Sequence, residues 1–375
     1  MITRFLEEQL KNVSTDKAIV LLGARQAGKT TLIERVFGKG GDTLWLNGDD
    51  SDVRDLFENI SSTRLKALIG EHKTLVVDEA QRIADIGLKL KLVTDAIPGV
   101  RLVASGSSSF DLANKLNEPL TGRKREFILY PISFGEMVAH HGLLDELRLL
   151  PHRLVFGYYP EVVSCPGEER EALHELSESY LYKDILTLEK IKKSERLTRL
   201  LKALAYQVGS QVSFSELSRL CGLDAKTVEK YITVLEQAYI IFRLASFSRN
   251  LRNELKASRK IYFWDNGIRN AVVADFRAAE NRDDVGKLWE NFVISERLKR
   301  NEYIRRFANC WFWRTQQQQE VDYIEELDGE LRAWEFNWNP MAKLKHPKVF
   351  LSAYPDCSFE VIHRENIADF LLENP

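Results

Sequence analysis

The sequence predicts an α/β protein: a parallel sheet covered on both faces by helices, then a helical middle part, then a second mixture of strands and helices. Three observations predict it. Up to about Met137, short apolar runs alternate with helical patterns; a glycine-rich loop ending in Gly28-Lys29-Thr30 joins the first strand to the first long helix; and beyond Lys260 period-two runs return with turn residues between them. The 375 residues allow two or three domains, and a hydrophobic content of 44% supports proper cores.

Strands are expected over Ala18 to Leu22, Thr43 to Leu46, Thr74 to Val77, Leu102 to Ala104 and Glu126 to Leu129. The first breaks at Gly23, and Gly23-Ala24-Arg25-Gln26-Ala27-Gly28-Lys29-Thr30-Thr31 fits the spacing GxxxxGK[ST] between a strand and an amphipathic helix. Gly23 and Gly28 let consecutive backbone N–H groups turn inward, and the helix N-terminus adds partial positive charge. Lys29 would reach the β and γ phosphates of a nucleotide and Thr30 would offer a hydroxyl to Mg²⁺. The third strand ends in Asp78-Glu79, and strand carboxyl ends face the ligand in a parallel sheet. Asp78 would therefore hold the metal shell while Glu79 orients and deprotonates a water. The fourth strand leads into Ser105-Gly106-Ser107-Ser108-Ser109, where Ser105 or Ser107 could sense the terminal phosphate.

After Pro131 the texture changes. Helical periodicity from about Phe134 to Lys190, broken at Gly157-Tyr158-Tyr159-Pro160 and Pro166-Gly167, suggests a small helical lid on the nucleotide domain. From Lys192 to Asn250 two short helices flank a sharp turn: Ser215 can cap the first, Gly222 breaks it, and Asp224 caps the second. The second helix has apolar Val228, Tyr231, Ile232 and Leu235 at helical spacing. That is a helix-turn-helix pattern, and the alternating run Tyr239 to Phe247 would form the wing of a winged helix. Residues 191–260 hold 14 Lys/Arg against 6 Asp/Glu, although the whole chain carries a formal charge of −2. Any nucleic-acid binding must then rest on a local surface, with Lys226, Thr227 and Lys230 on the second helix and Arg249, Arg252 and Lys256 beyond the wing as candidates.

The last part opens with a strand into a turn, Lys260-Ile261-Tyr262-Phe263-Trp264-Asp265-Asn266-Gly267. A helix containing Glu290 is expected over Gly286 to Arg300, and two strands, 320–324 and 331–337, meet through the hairpin turn Asp328-Gly329. Four scattered cysteines with no CxxC pair argue against structural zinc and a disulfide framework, and fit a reducing cytoplasm. No apolar stretch approaches bilayer length, so no membrane role is expected.

These residues together resemble the bacterial and archaeal AAA-type ATPases that carry a C-terminal domain of unknown function, built from a winged helix and a nuclease-like fold. The resemblance runs nearly end to end. It is carried by Arg25-Gln26, Asp78-Glu79-Ala80-Gln81, Ser105-Gly106-Ser107-Ser108, Gly122-Arg123 and Pro131-Ile132-Ser133-Phe134. Further along it is carried by Tyr159-Pro160-Glu161, Lys183-Asp184-Ile185 and the run from Tyr262 to Gly267. It implies an AAA+-like ATPase core over 1–135, a helical lid over 136–190, a winged helix over 191–258 and a PD-(D/E)xK nuclease-like domain over 259–375. It also implies ATP and Mg²⁺ as ligands, and a ring or other homo-oligomer in which a neighbour completes the active site.

Similarity to clamp-loader-like ATPases points to Arg123 as the arginine offered to the adjacent subunit. In the nuclease-like fold the corresponding acids are Glu290, Asp322 and Glu335, but the lysine two residues past the last acid is replaced by Asn337. Lys343 and Lys345 are the substitutes at hand. A degenerate, binding nuclease-like domain is expected, and cleavage is not. The partner expected is DNA; the alternatives are an ATP-driven switch acting on proteins and an ATP-regulated nuclease. Adenine is preferred over guanine because Asn114-Lys115-Leu116 is followed by Asn117 rather than aspartate.

Overall fold

A computed structural model describes residues 2–107, 120–178, 194–248, 259–315, 317, 319–342 and 346–372. It divides into two compact units, one of Met1–Pro131 with Gln237–Tyr239 and one of Ile132–Glu236 with Ile240–Pro375.

The first unit is built on a five-stranded sheet with the order β2-β3-β4-β1-β5. The strands are β1 (Ala18–Gly23), β2 (Thr43–Asn47), β3 (Thr74–Asp78), β4 (Arg101–Gly106) and β5 (Lys124–Leu129), and every pairing is parallel. β1 is buried along its whole length, which is why it reads as an unbroken apolar run. Helices α1 (Leu6–Lys11), α2 (Lys29–Phe37), α3 (Ser51–Glu58), α4 (Ser62–Ile69) and α5 (Ile86–Ala96) accompany the sheet, with a short 3-10 helix over Ala80–Arg82. Asp50 and Ser61 cap α3 and α4, accepting from the Asp52 and Arg64 amides at 3.0 and 3.3 Å. Because all strands run the same way, Gly23, Asp78 and Ser105 arrive at one edge of the sheet, its carboxyl edge.

The second unit begins with helices α6 (Phe134–His141), α7 (Leu143–Phe156), α8 (Pro160–Ser164) and α9 (Glu169–Glu178). A capping box starts α6: Ser133 Oγ accepts from the Glu136 amide at 3.3 Å, and Glu136 accepts from the Ser133 amide at 2.9 Å. Read as a lid in the sequence, these helices have hydrogen-bond partners inside this unit. The Tyr158 amide donates to Asp265 at 2.6 Å, the Phe134 amide donates to Glu296 at 2.6 Å, and Asn270 Nδ2 donates to the carbonyls of Leu154 and Val155 at 3.1 and 2.8 Å. The segment from Trp264 to Gly267, read as a turn, instead starts helix α13 (Asn266–Val273), with Asp265 accepting from the Ile268 amide at 3.1 Å. A Cβ on Gly267 would lie 2.1 Å from the Phe156 carbonyl oxygen, so glycine is what allows this approach.

Next come α10 (Ser194–Tyr206), β6 (Gln211–Val212), α11 (Phe214–Cys221), α12 (Ala225–Gln237), β7 (Ile241–Ser246) and β8 (Arg259–Phe263). The cap of α11 is Ser213, which accepts from the Glu216 amide at 3.4 Å, and not Ser215. Gly222 ends that helix at φ 63°, and Asp224 accepts from the Thr227 amide at 2.9 Å to open the next. β6, β8 and β7 pair antiparallel in that order.

The sheet does not stop there. β7 also pairs in parallel with β9 (Asn309–Arg314), and the order β12-β11-β10-β9-β7-β8-β6 runs through β10 (Glu320–Leu327), β11 (Glu330–Phe336) and β12 (Ser358–Ile362). The β10–β11 hairpin turns at Asp328 and Gly329, with φ values of 52° and 88°, the two positive values that a type I′ turn requires. Helix α14 (Val285–Tyr303) carries Arg297, whose guanidinium meets both oxygens of Glu325 on β10 at 2.8 Å.

Candidate functional site

The phosphate-loop residues come together at the carboxyl edge of the first sheet. Gly28, at φ 94°, is the residue from which α2 starts, and Lys29 is its first member. Lys29 Nζ donates to the carbonyls of Gly23 and Ala24 at 3.0 and 2.8 Å. Burial pushes this ammonium down to about 8; Glu79 and Asp78 oppose that fall, and Arg25 adds to it. Gln26 holds a left-handed φ of 57°, Gln26, Thr30 and Thr31 are exposed, and Ala24 and Ala27 are buried. A Cβ on Gly23 would meet the Leu129 carbonyl oxygen at 2.1 Å, so this loop glycine also answers to the close passage of β5.

Thr30 Oγ1 donates to Asp78 Oδ2 at 2.9 Å, and Ser105 Oγ donates to Asp78 Oδ1. Three strands, β1 through its loop, β3 and β4, thus present one hydroxyl–carboxylate–hydroxyl array beside a buried ammonium. Glu79 follows at φ 48°, and its carboxylate accepts from Gln81 Nε2 at 2.5 Å; the same amide lies 3.3 Å from Ser107 Oγ. Loop amides, an ammonium, a hydroxyl and a carboxylate are the donor set that a triphosphate with a divalent cation needs, so the residues present fit both. Gln81 was not singled out as a site residue in the sequence, although it stands only two residues beyond Glu79.

Arg123 does not join this array. It stands just before β5, its carbonyl accepts from the Ala18 amide at 2.8 Å, and its guanidinium pairs with Asp95 at 2.9 Å, both side chains being half-exposed. Ala18 opens β1, so Arg123 lies at the amino edge of the sheet, roughly 17 Å of strand from the loop.

In the second unit, Glu290 and Asp322 do converge, around a lysine that the sequence did not single out. Lys260 Nζ, 2% exposed, lies 2.8 Å from Glu290, 2.6 Å from Glu320 and 4.0 Å from Asp322. Tyr262 Oη donates to Glu290 at 2.6 Å. Burial and the neighbouring Glu290 hold the Asp322 carboxyl well above the usual carboxylate range, while Lys260 works against them. Burial disfavours the charge on Lys260, but the surrounding acids outweigh it and raise its pKa. Neither Lys343 nor Lys345, the expected substitutes, lies within the described residues. Glu335 lies on β11, whereas Asn337 falls just past the strand, its amide donating to the Ile362 carbonyl at 2.9 Å. Among the described residues no group of three or more Asp, Glu, His or Cys is arranged to hold a metal. A lysine opening the apolar run 261–263, with Tyr262 two residues on, was the available clue.

Of the candidate nucleic-acid residues, Lys226 and Lys230 are exposed on α12, while Thr227 Oγ1 donates to Asp224 at 2.6 Å as part of the helix cap. Arg249, Arg252 and Lys256 lie outside the described residues, as do Ser108, Ser109, the 114–117 run and Lys183-Asp184-Ile185. The basic excess of residues 191–260 is partly internal, since Lys260 is buried and Arg243 pairs with Glu236.

Residues 15–138 match the AAA domain family, residues 147–280 a domain of unknown function (DUF8612), and residues 285–369 another domain of unknown function (DUF4143). An uncharacterized protein of Mycobacterium tuberculosis is 27% identical over 319 residues, covering 83% of this chain and 68% of the relative. An uncharacterized protein of Haemophilus influenzae is 25% identical over 329 residues, covering 80% of this chain and 79% of its own length. A chain from the structure of Drosophila ORC bound to DNA aligns over 73% of this chain and 94% of its own, at 13% identity and a TM-score of 0.27, too low to bear on fold or ligand. By these matches residues 15–138 are similar to the AAA domain family, and residues 285–369, at the C-terminal end, are similar to a domain of unknown function.

Proposed function

We propose that this chain is a Mg²⁺-dependent ATPase that works as a homo-oligomer and couples its nucleotide state to DNA. What carries the ATPase proposal is the meeting of Lys29, Thr30, Asp78 and Ser105 at one edge of a parallel sheet. In the proposed chemistry the amides from Gly23 to Thr31 and the Lys29 ammonium bind the phosphates. Thr30 and Asp78 would hold Mg²⁺, which when bound neutralises charge on the phosphate oxygens. Glu79 takes a proton from the attacking water, and Ser105 keeps Asp78 oriented. Arg123 is too far along the strand to serve its own site, so its role is proposed in trans, from a neighbouring subunit. Lys29→Ala should abolish ATP binding and turnover. Arg123→Ala should keep binding and lose about 10³-fold or more in turnover. Mixing the two variants should restore part of the activity, and an absence of rescue would count against the trans assignment.

For the DNA role, support comes from exposed Lys226 and Lys230 on α12, and from the element order helix, strand, two helices, two strands over 194–263, which we read as a winged helix. The nuclease-like reading of residues 259–375 is kept as a binding or assembly role. Lys260 already meets the acids Glu290 and Glu320 directly, so their charge is balanced within the protein. Duplex and branched DNA should bind with an affinity that falls steeply between 50 and 200 mM salt, since phosphate contacts release counterions. Lys226→Ala with Lys230→Ala should weaken binding and flatten that slope by about one per lysine. A salt-insensitive or absent interaction would favour protein partners instead. Supercoiled DNA with Mg²⁺ or Mn²⁺ should remain uncut; cleavage lost in Asp322→Ala would establish the nuclease alternative.

A further inference from the structure

Arg4 lies outside the glycine-rich motif, yet it reaches the back of the phosphate loop. Only 8% exposed, its guanidinium donates from Nη1 to the Ala27 carbonyl at 2.9 Å and from Nη2 to the Tyr130 carbonyl at 2.7 Å, just past β5. Its own segment is held in turn. The Arg4 amide donates to Glu7 Oε1 at 2.9 Å, and Glu7 Oε2 pairs with Arg35 of α2 at 3.2 Å, so the N-terminal segment is tied to the helix that the loop begins.

The chemistry follows from one peptide plane. The Ala27 carbonyl and the Gly28 N–H belong to the same trans peptide and point in opposite directions. A guanidinium fixed on the carbonyl therefore fixes the direction of the N–H, one of the loop amides that would meet a phosphate. Gly28, at φ 94°, has no steric preference of its own to do so. Lys29 engages the Gly23 and Ala24 carbonyls and Arg4 the Ala27 carbonyl, so cations secure the loop from two sides. We propose that Arg4 is a positioning residue for nucleotide binding: it aims the Gly28 amide and sets the curvature of the phosphate loop from outside the motif. This rests on the nucleotide-binding reading given above.

The test is calorimetric titration of the full chain with Mg²⁺–ATP, at a temperature well below the melting midpoint. It compares wild type, Lys29→Ala, Arg4→Ala and Arg4→Lys, with each melting midpoint measured without nucleotide. Arg4→Ala is expected to bind ATP about tenfold or more weakly, the loss typical of a charged hydrogen-bond partner. Arg4→Lys, with a point charge that cannot fork to two carbonyls, should fall between wild type and alanine. Added guanidinium ion at low millimolar concentration should restore affinity in Arg4→Ala and not in Lys29→Ala. A residue serving only general stability would lower the melting midpoint and leave affinity untouched. If Lys29→Ala loses ATP while Arg4→Ala stays within about twofold of wild type, the positioning role is overturned. If Arg4→Ala does not fold, Arg4→Lys decides, and wild-type affinity there overturns it equally. A wild-type chain that binds no ATP overturns the nucleotide reading itself, and this inference with it.

Discussion

Lys29 is the residue where burial and function pull hardest against each other. Its ammonium sits at about 8 in the folded chain against 10.5 when unfolded, because burial outweighs the nearby acids. Below about 8 both states carry the proton; between that value and the unfolded value the unfolded chain binds more protons, so folding stability should rise with pH across that window. Urea unfolding at intermediate and high pH should show the rise in wild type and lose it in Lys29→Met. Arg297 and Glu325 present the opposite case, a buried bidentate pair. Burial works to raise the Glu325 pKa, but Arg297 outweighs it and holds the carboxyl below its usual value, so the pair's stabilisation is lost as pH falls through that lowered value. Arg297→Met should cost about 3 kcal/mol in chemical denaturation, since it leaves buried Glu325 with only the longer contact to Arg306, at 3.8 Å, as counter-charge. The loop from Gly23 to Thr31 was legible because its spacing is local and each glycine answers to a backbone need. Lys260 was not, because its partners Glu290 and Glu320 are far along the chain and only the folded sheet joins them.

At the scale of elements, strands were easier to read than helix starts. The central strands β1, β3 and β4 of the first unit follow from apolar runs buried on both faces, and the Asp328-Gly329 hairpin follows from turn chemistry. The start of α13 was hidden because Asp265-Asn266-Gly267 is as good a turn sequence as it is a cap, and the deciding contact, Gly267 against Phe156, is tertiary. Gly267→Ala should therefore destabilise by about 2–4 kcal/mol, read from the denaturation midpoint. Ser213 and Ser215 were indistinguishable by composition. Only Ser213 accepts from the amide three residues on, so Ser213→Ala should cost about 1 kcal/mol and Ser215→Ala less than about 0.5.

The two units differ in how their sheets are assembled. In the first, β1 sits between β4 and β5, yet the residues at the tips of β1, β3 and β4 were marked by local motifs, whereas Arg4 and Gln81 were not and Arg123 lies elsewhere. In the second, β8 lies between β6 and β7, and β7 lies between β8 and β9, so the sheet crosses the 258/259 position without a seam. Alternating patterns pointed to β7, β8, β10 and β11 but not to β6, β9 or β12, and so not to the parallel pairing of β7 with β9. Assembly is the matching test for the whole molecule: Glu79→Gln with ATP and Mg²⁺ should sediment as a larger species than the nucleotide-free protein, and an unchanged monomer would argue against a shared site.

The seating of β7 also bears on biosynthesis. A polypeptide emerging from the ribosome completes β8 soon after β7, but the other neighbour of β7, β9, is complete only once residue 314 has been made. Until then one rim of that strand is adhesive, and in a chain cut before β8 both are. Truncations ending near residue 258 should accumulate as insoluble material while the intact chain stays in the supernatant, and the helper that matters during translation would be one that shields strand rims.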